Sequence, residues 1–368
     1  MLYPIPRSDW RRLVLHANRS QLYYASLVNG IGFVLEENEA VALLKKDAKN
    51  RDVIFRYMNG KDLNSTPDQT GTRFIINFFD WSLERAAEYP ECLAIVVERV
   101  RPIRQELPDS KARVRGNWWR YEYEAASLYH AISGMSRVIA ITSVSKAVTP
   151  AFSPPDQVFA HTVYVFACDD DFHFGVLTSG FHYRWAARYS STLETRIRYT
   201  PSDVFETFPQ PDLSETVASA GKALHEHRSQ LMVTNNEGLT ATYNRVHDQK
   251  DETPGIPELR ELHVALDLAV RDAYGWDDLD LGHGFHPVRG QGIRFTFSPA
   301  GATEVLERLL ELNKARYEAE VAAGLHAPEA KRGRRQGARR PKSAENSTPS
   351  LFGDTFAGSA PPRGGLAP

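Results

Sequence analysis

WAARYSSTLETRIRYTPSDVFETFPQP, residues 185–211, is the stretch on which the reading of this chain turns. With the residue before it, it sets Arg184, Arg188, Arg196 and Arg198 beside Trp185 and Tyr189. A guanidinium is a planar fork of donors that matches phosphate oxygens and the acceptor edges of bases, and an aromatic ring next to it extends the same surface. Nothing in the stretch forms a nucleophile–base pair or a metal-ligand set, so it reads as a surface for binding.

Composition bounds what surrounds it. A chain of 368 residues suggests two or three domains with sizeable cores. Hydrophobic residues at 42% and charged residues at 24% are ordinary for a soluble globular protein. The net charge of −2 and the isoelectric point near 6.6 argue against indiscriminate coating of nucleic acid, yet they leave room for a local basic face. One such segment is residues 101–120, where Arg101, Arg104, Lys111, Arg113, Arg115 and Arg120 face only Glu106 and Asp109, next to Trp118, Trp119, Tyr121 and Tyr123. Cys92 and Cys168 are too few for a disulfide framework, which points to a reducing cytoplasm. The opening run MLYPIPRSDWRR has no apolar signal core, and no run approaches the roughly 18 apolar residues of a membrane helix. A cytoplasmic chain without a membrane partner is expected.

Four zones follow in order. Residues 1–78 read as short strands and turns, punctuated by Asn29-Gly30-Ile31-Gly32, with too few long periodic segments to bury a core unaided. Residues 79–211 are mixed. Helical spacing through Leu83, Ala86, Ala87, Leu93, Val96, Val97 and Val100 is interrupted at Pro90, giving two helices. Residues 137–148 and 157–167 are rich in β-branched and aromatic residues and read as paired strands around the turn Ser153-Pro154-Pro155-Asp156. Helical spacing returns over 172–189, weakened by Gly175 and Gly180. From 212 to 313 the chain reads as mostly helical, with one helix stopped by Gly275 and a last one started by Ser298-Pro299, and this zone reads as a support. The end, KRGRRQGARRPK and a Pro/Gly/Ser-rich remainder, has too few hydrophobic residues to offset ordering entropy and is expected to be disordered.

Several strings stand in order along the chain: Asn77-Phe78-Phe79-Asp80-Trp81 with Glu88-Tyr89-Pro90, Trp118-Trp119, residues 138–159, Phe181-His182 with Trp185-Ala186, Arg198-Tyr199-Thr200, and Phe205-Glu206-Thr207-Phe208-Pro209. In these the chain resembles the MmeI-like group of adenine-specific DNA methyltransferases, found as fused restriction-modification enzymes and in related phage-defence systems. Upstream, residues 28–35 and 57–64 fit the stretch that follows the methyl-transfer motifs. Downstream, Gly238-Leu239-Thr240, Tyr243-Asn244, Leu266-Asp267 and Tyr274-Gly275-Trp276 fit a helical C-terminal domain, so the likeness spans roughly residues 20–316.

The resemblance implies that residues of about 110–210 read bases while a separate catalytic domain acts on one flipped adenine. That chemistry needs a Gly-rich turn for S-adenosylmethionine and an Asn-Pro-Pro-aromatic motif whose ring stacks on the extruded base. Asn29-Gly30-Ile31-Gly32 is a lone glycine pair without the strand and helix of a cofactor turn, and Asp156 after Ser153-Pro154-Pro155 offers no ring, so both read as turns. Asp169-Asp170-Asp171, His225 with His227, and His283 with His286 lack a third ligand at metal spacing and read as solvated or structural.

The expected fold class is α+β: a mixed strand and helix DNA target-recognition domain followed by a small helical domain and a disordered tail. The divisions are 1–78, the end of a methyltransferase catalytic domain; 79–211, the recognition domain with its helical lead-in; 212–318, the helical domain; and 319–368, the tail. Expected DNA contacts are Arg113, Arg115, Ser143, Ser145, Lys146, Thr149, Arg184, Arg188, Arg196 and Arg198, with ion pairs such as one to Glu194 as the competing role for the arginines of the opening stretch. Trp118 and Trp119 read as support. The partner is double-stranded DNA, with methyl transfer supplied by a separate polypeptide. No catalytic, metal or cofactor residue is assigned here, S-adenosylmethionine being implied only for the complete enzyme. The alternatives are a split or atypical complete methyltransferase and a non-catalytic interaction protein or gene remnant.

Overall fold

The computed structural model describes residues 10–145, 147–193, 196–288 and 290–326, so the expectations for Lys146, for Glu194 and for the tail from residue 327 onward lie outside the described residues. Among them the strands are β1 (Leu22–Tyr24), β2 (Val34–Leu35), β3 (Ile54–Met58), β4 (Arg73–Ile76), β5 (Val138–Thr142), β6 (Val144–Ser145), β7 (Ala151–Ser153), β8 (Gln157–Phe159), β9 (Val163–Phe166), β10 (Ser191–Leu193), β11 (Arg196–Arg198), β12 (Gly284–Val288) and β13 (Gly292–Thr296). The helices are α1 (Glu37–Lys46), α2 (Gly60–Ser65), α3 (Leu83–Ala86), α4 (Pro90–Arg99), α5 (Arg101–Gln105), α6 (Ala112–Gly116), α7 (Ala126–Ala131), α8 (Asp171–Thr178), α9 (Gly180–Tyr189), α10 (Glu215–Asn235), α11 (Leu239–Val246), α12 (Ile256–Ala273) and α13 (Pro299–Ala322).

Every residue of β5, VIAIT, is buried. A strand covered on both faces has no polar side, which is why this segment shows no alternation in sequence. It lies inside a sheet of order β1-β9-β5-β7, antiparallel to β9 with Ile139 opposite Phe166. The 157–167 stretch, expected as one strand beside 137–148, is split between two sheets. β8 pairs in parallel with β3, Met58 opposite Phe159, in a second sheet of order β2-β4-β3-β8, and only β9 stays beside β5. The chain changes sheets at Thr162, whose Oγ1 accepts from the Gly60 N–H at 3.0 Å and whose carbonyl accepts from the Ser143 N–H at 2.9 Å.

The second sheet completes the N-terminal zone. Phe33, Leu35, Ile75 and Ile76 pack with Cys92 and Val96 of α4 and with Val158 of β8 in one buried cluster. The boundary expected at residue 78 therefore runs through a hydrophobic core. The larger cluster does the same at residue 211: Ile139, Phe166, Phe174, Phe181, Trp185 and Phe208 pack with Leu224, Leu266 and Leu309 of the C-terminal helices. The chain up to His326 forms one unit.

Local signals set most helix ends. Pro90 opens α4 and Pro299 opens α13, where the missing N–H costs no hydrogen bond. Ser298 Oγ caps α13 by accepting from the Gly301 N–H at 3.0 Å, and Gly275, at φ +70°, ends the turn after α12. α13 continues to Ala322, past the expected boundary at 318, and the hairpin β12–β13 interrupts a zone expected to be helical, with Phe285 opposite Phe295. The helical spacing read over 172–189 forms two helices, α8 and α9, divided at Ser179, whose Oγ accepts from the His182 N–H at 3.4 Å. No described helix is long and apolar enough to cross a membrane.

Candidate nucleic-acid interface

Three short strands gather several of the expected contact residues. β11 lies between β10 and β6, with Arg198 opposite Val144 and Ile197 opposite Ser145. Side chains alternate across a strand, so Arg196 and Arg198 leave one face while Ile197, buried, leaves the other. Arg198 is exposed and Arg196 half-buried. Ser143 adjoins this sheet through its carbonyl, which accepts from the Tyr199 N–H at 2.9 Å, and Ser145 Oγ accepts from the Ala147 N–H at 3.2 Å.

Buried polar groups hold this edge in place. The Tyr199 ring is buried, and its hydroxyl meets His182 Nε2 at 3.0 Å, while His182 Nδ1 meets the Leu177 carbonyl at 2.7 Å. The carbonyl can only accept, so the neutral ring carries its proton on Nδ1 and accepts from Tyr199 on Nε2. Burial lowers the His182 pKa from 6.5 to about 4, against a smaller opposing effect of the Leu177 carbonyl. The end of the 144–149 loop is held from α10: Arg228, 1% exposed, donates to the Pro150 carbonyl at 2.9 Å and to the Tyr243 hydroxyl at 3.2 Å. Sequence reading assigned neither Arg228 nor His182, because their partners lie on distant elements.

The remaining expected contacts are placed elsewhere. Arg184 turns toward the C-terminal hairpin, donating from Nη2 to Thr296 Oγ1 at 2.8 Å and to the Phe297 carbonyl at 3.3 Å. Arg188 is exposed, with its guanidinium 4.7 Å from the centroid of the Trp10 ring. Arg113 and Arg115 sit on α6, sharing neither the β10–β11–β6 sheet nor the cleft described next. Arg113 donates to the Glu122 carbonyl, and Arg115 to the Leu107 carbonyl at 2.8 Å and to Asp109 at 2.7 Å. The basic 101–120 segment is thus largely knitted to itself: Arg104 is buried on the carbonyls of Arg120 and Val28, Lys111 pairs with Glu122, and Arg120 with Glu124. Trp118 is buried and Trp119 Nε1 donates to the Trp81 carbonyl at 2.9 Å, which makes both support.

Beside the three-stranded sheet lies a cleft of about 310 Å³. Ser145, Thr149 and Arg196 line it from the recognition side, and Asn244, Gln291 and Arg294 from α11 and the hairpin. Its lining includes Asp267, whose Oδ1 accepts from the Gly180 N–H at 2.6 Å and whose Oδ2 meets His283 Nε2 at 3.0 Å. Burial, then Arg294 and Arg260, lower the His247 pKa to about 4, and burial chiefly lowers that of His263 to about 3. Both rings are therefore neutral near pH 7. The hairpin's part in this surface was missed in sequence, where the zone read as support; Gly290 and Gly292 around Gln291 were the available signal.

The other singled-out motifs have structural roles. Gly32 packs so closely that an added Cβ would lie 2.7 Å from Val100 Cγ2 and 2.9 Å from the Arg99 carbonyl oxygen. Ser153 Oγ donates to the Gln69 carbonyl at 3.0 Å and accepts from Gln157 Nε2 at 2.7 Å, fixing the turn between β7 and β8. Asp170 caps α8 by accepting from the His173 N–H at 2.8 Å, and Asp171 pairs with Arg137. Among the described residues no group of three or more His, Cys, Asp or Glu is arranged to hold a metal ion.

Two four-stranded sheets, a separate three-stranded sheet carrying Arg196 and Arg198, and C-terminal helices that share the larger core make a mixed α+β module. This chain belongs to the MmeI target recognition domain family: the model described as "MmeI, target recognition domain" matches residues 18–212, more than half of the 368. That match begins well before residue 79, so it takes in most of the zone expected to end a catalytic domain. The solved structure of the Type IIL restriction-modification enzyme MmeI in complex with DNA is similar in fold, with a TM-score of 0.60 and 17% identity over 85% of this chain. The matched part is 37% of that chain, so the present one spans well under half its length. No curated protein matches.

Proposed function

We propose that this chain is the sequence-reading part of an adenine-specific DNA methyltransferase of a restriction-modification or phage-defence system, working in the cytoplasm. Double-stranded DNA lies against the β10–β11–β6 edge, and methyl transfer, with its S-adenosylmethionine, comes from a catalytic domain on a separate polypeptide. The observation that carries this reading is that β11 pairs with β6 and, by strand alternation, carries Arg196 and Arg198 on one face next to Ser143 and Ser145. Membership of the target-recognition family supports it. Phosphate contacts position a protein on a duplex and base-edge contacts specify the site, so in this reading the arginines supply affinity while Ser143, Ser145 and Thr149 discriminate.

The test is duplex binding by the full chain, with bound sequences selected from a random pool and the affinity followed against salt. The logarithm of the affinity should fall with the logarithm of salt, with a slope of roughly 0.9 for each phosphate neutralised. The double change Arg196→Ala and Arg198→Ala should weaken binding by about a hundredfold, taking about 1.5 kcal/mol for each charged hydrogen-bonding group. Binding that ignores salt, or the double variant binding like the wild type, would overturn the assignment.

A further inference from the structure

The hairpin β12–β13 is set up as more than a cover for the helices. Arg294 uses only Nε on the protein, donating to the Gln291 carbonyl at 3.1 Å, and among the described residues neither Nη group has an acceptor. It faces the same cleft as Arg196, so two guanidiniums line a space in which the described lining carries one carboxylate, Asp267. Both oxygens of that carboxylate are taken, by Gly180 and His283. Thr178 also lines the cleft; it is 9% exposed, and among the described residues its buried Oγ1 has no partner, nor has Nδ1 of the lining residue His247. A buried polar atom left unsatisfied is costly, which marks the space as one that a polar occupant completes. The hairpin is held for this purpose from α9, by Arg184 on Thr296 and by the Tyr183 hydroxyl on Gln291 Oε1 at 3.3 Å.

We infer that β12–β13 is a second DNA-binding arm, and that the cleft between it and the 144–149 loop seats the sugar-phosphate backbone of one strand, with Arg294 on a phosphate. An anionic phosphodiester matches the Nη groups of Arg294, and the apolar side chains of Val144, Val148 and Val288 suit the deoxyribose between phosphates. The inference rests on the reading that the β10–β11–β6 edge binds DNA. It adds a contact from the part of the chain that lies beyond the family match.

The experiment measures affinity of the full chain for a random-sequence duplex pool across a salt series, for wild type, Arg294→Ala, Arg294→Lys and the Arg196→Ala/Arg198→Ala pair. Arg294→Ala should weaken binding about tenfold, equally for all sequences, and lower the salt slope by about one, while Arg294→Lys restores most of the slope. Since Arg294 makes one hydrogen bond to the protein, the unfolding midpoint should stay close to wild type; if Arg294→Ala unfolds, Arg294→Gln removes the charge while keeping a long side chain and is read in the same way. Wild-type affinity and slope in the charge-removing variants, with binding still lost in the Arg196/Arg198 pair, would overturn the inference and leave the proposed function standing. Absence of duplex binding by the wild type would overturn both.

Discussion

Arg184 and Arg198 lie fourteen positions apart in one basic stretch, yet the fold uses them in opposite ways. Arg198 stands exposed on β11, whereas burial lowers the Arg184 pKa and its Nη2 bonds two groups of the hairpin. Arg184→Ala would leave Thr296 Oγ1 and the Phe297 carbonyl without that donor, at a cost of about 1–3 kcal/mol. The expected outcome is a lower denaturant midpoint with the salt slope of DNA binding unchanged. A slope reduced by about one at undiminished stability would instead make Arg184 a phosphate contact. The composition of the stretch marked a basic, aromatic surface, but it had no means of sorting its arginines, because the partner of Arg184 is 112 residues away. The same limit hid Arg294, whose position in the cleft depends on how the hairpin docks on α9.

Among the elements, the crossing of α8 and α10 shows what glycine means in this fold. In sequence Gly175 weakens the helical reading of its segment, but its function is to let two helices approach. A Cβ on Gly221 of α10 would lie 2.5 Å from the Asp171 carbonyl oxygen and 3.0 Å from Gly175 Cα. Alanine is favoured over glycine within a helix by about 1 kcal/mol, whereas forcing atoms into a filled contact costs about 1–3 kcal/mol. Since the atoms met are backbone, the second effect should win, and Gly221→Ala should lower the unfolding midpoint; a higher midpoint would show that the helices separate freely. Helix ends were legible because Pro90, Gly275 and Pro299 act through their own backbone and Ser298 through a bond to the N–H three residues on. The partition of 157–167 between two sheets was not, because β8 and β9 have similar apolar composition and their partners, β3 and β5, are chosen by tertiary packing.

At the scale of the whole molecule, a continuous core joins Tyr199, which directly follows the strand carrying Arg196 and Arg198, to the C-terminal helices, so the interface should share the acid stability of that core. Burial lowers the pKa of His182 to about 4, of His225 to about 4, of His247 to about 4 and of His263 to about 3. In the unfolded chain these imidazoles return to about 6.5. Above that pH both states are neutral and nothing changes. Between about 6.5 and 4 the unfolded chain takes up protons that the folded chain excludes, so stability falls as pH falls. For His182, fully buried between Leu177 and Tyr199, the loss across that window is on the order of 3 kcal/mol. Carboxylates with lowered pKa, such as Glu122 and Asp170, add their loss below about 4.3, so the interval from 6.5 to 5 isolates the histidines. Denaturant midpoints should therefore decline from pH 7 to pH 5, and His182→Gln should start lower, having lost the paired bonds, but decline less. A profile flat over that interval, or one equally steep in His182→Gln, would mean that the ring reaches solvent before the core opens. Because the folded chain keeps His182 neutral and bonded to Tyr199 at the end of β11, duplex affinity should show no loss from this ring over the same interval while the chain stays folded, and a loss that His182→Gln abolishes would show that the ring is protonated in the folded state.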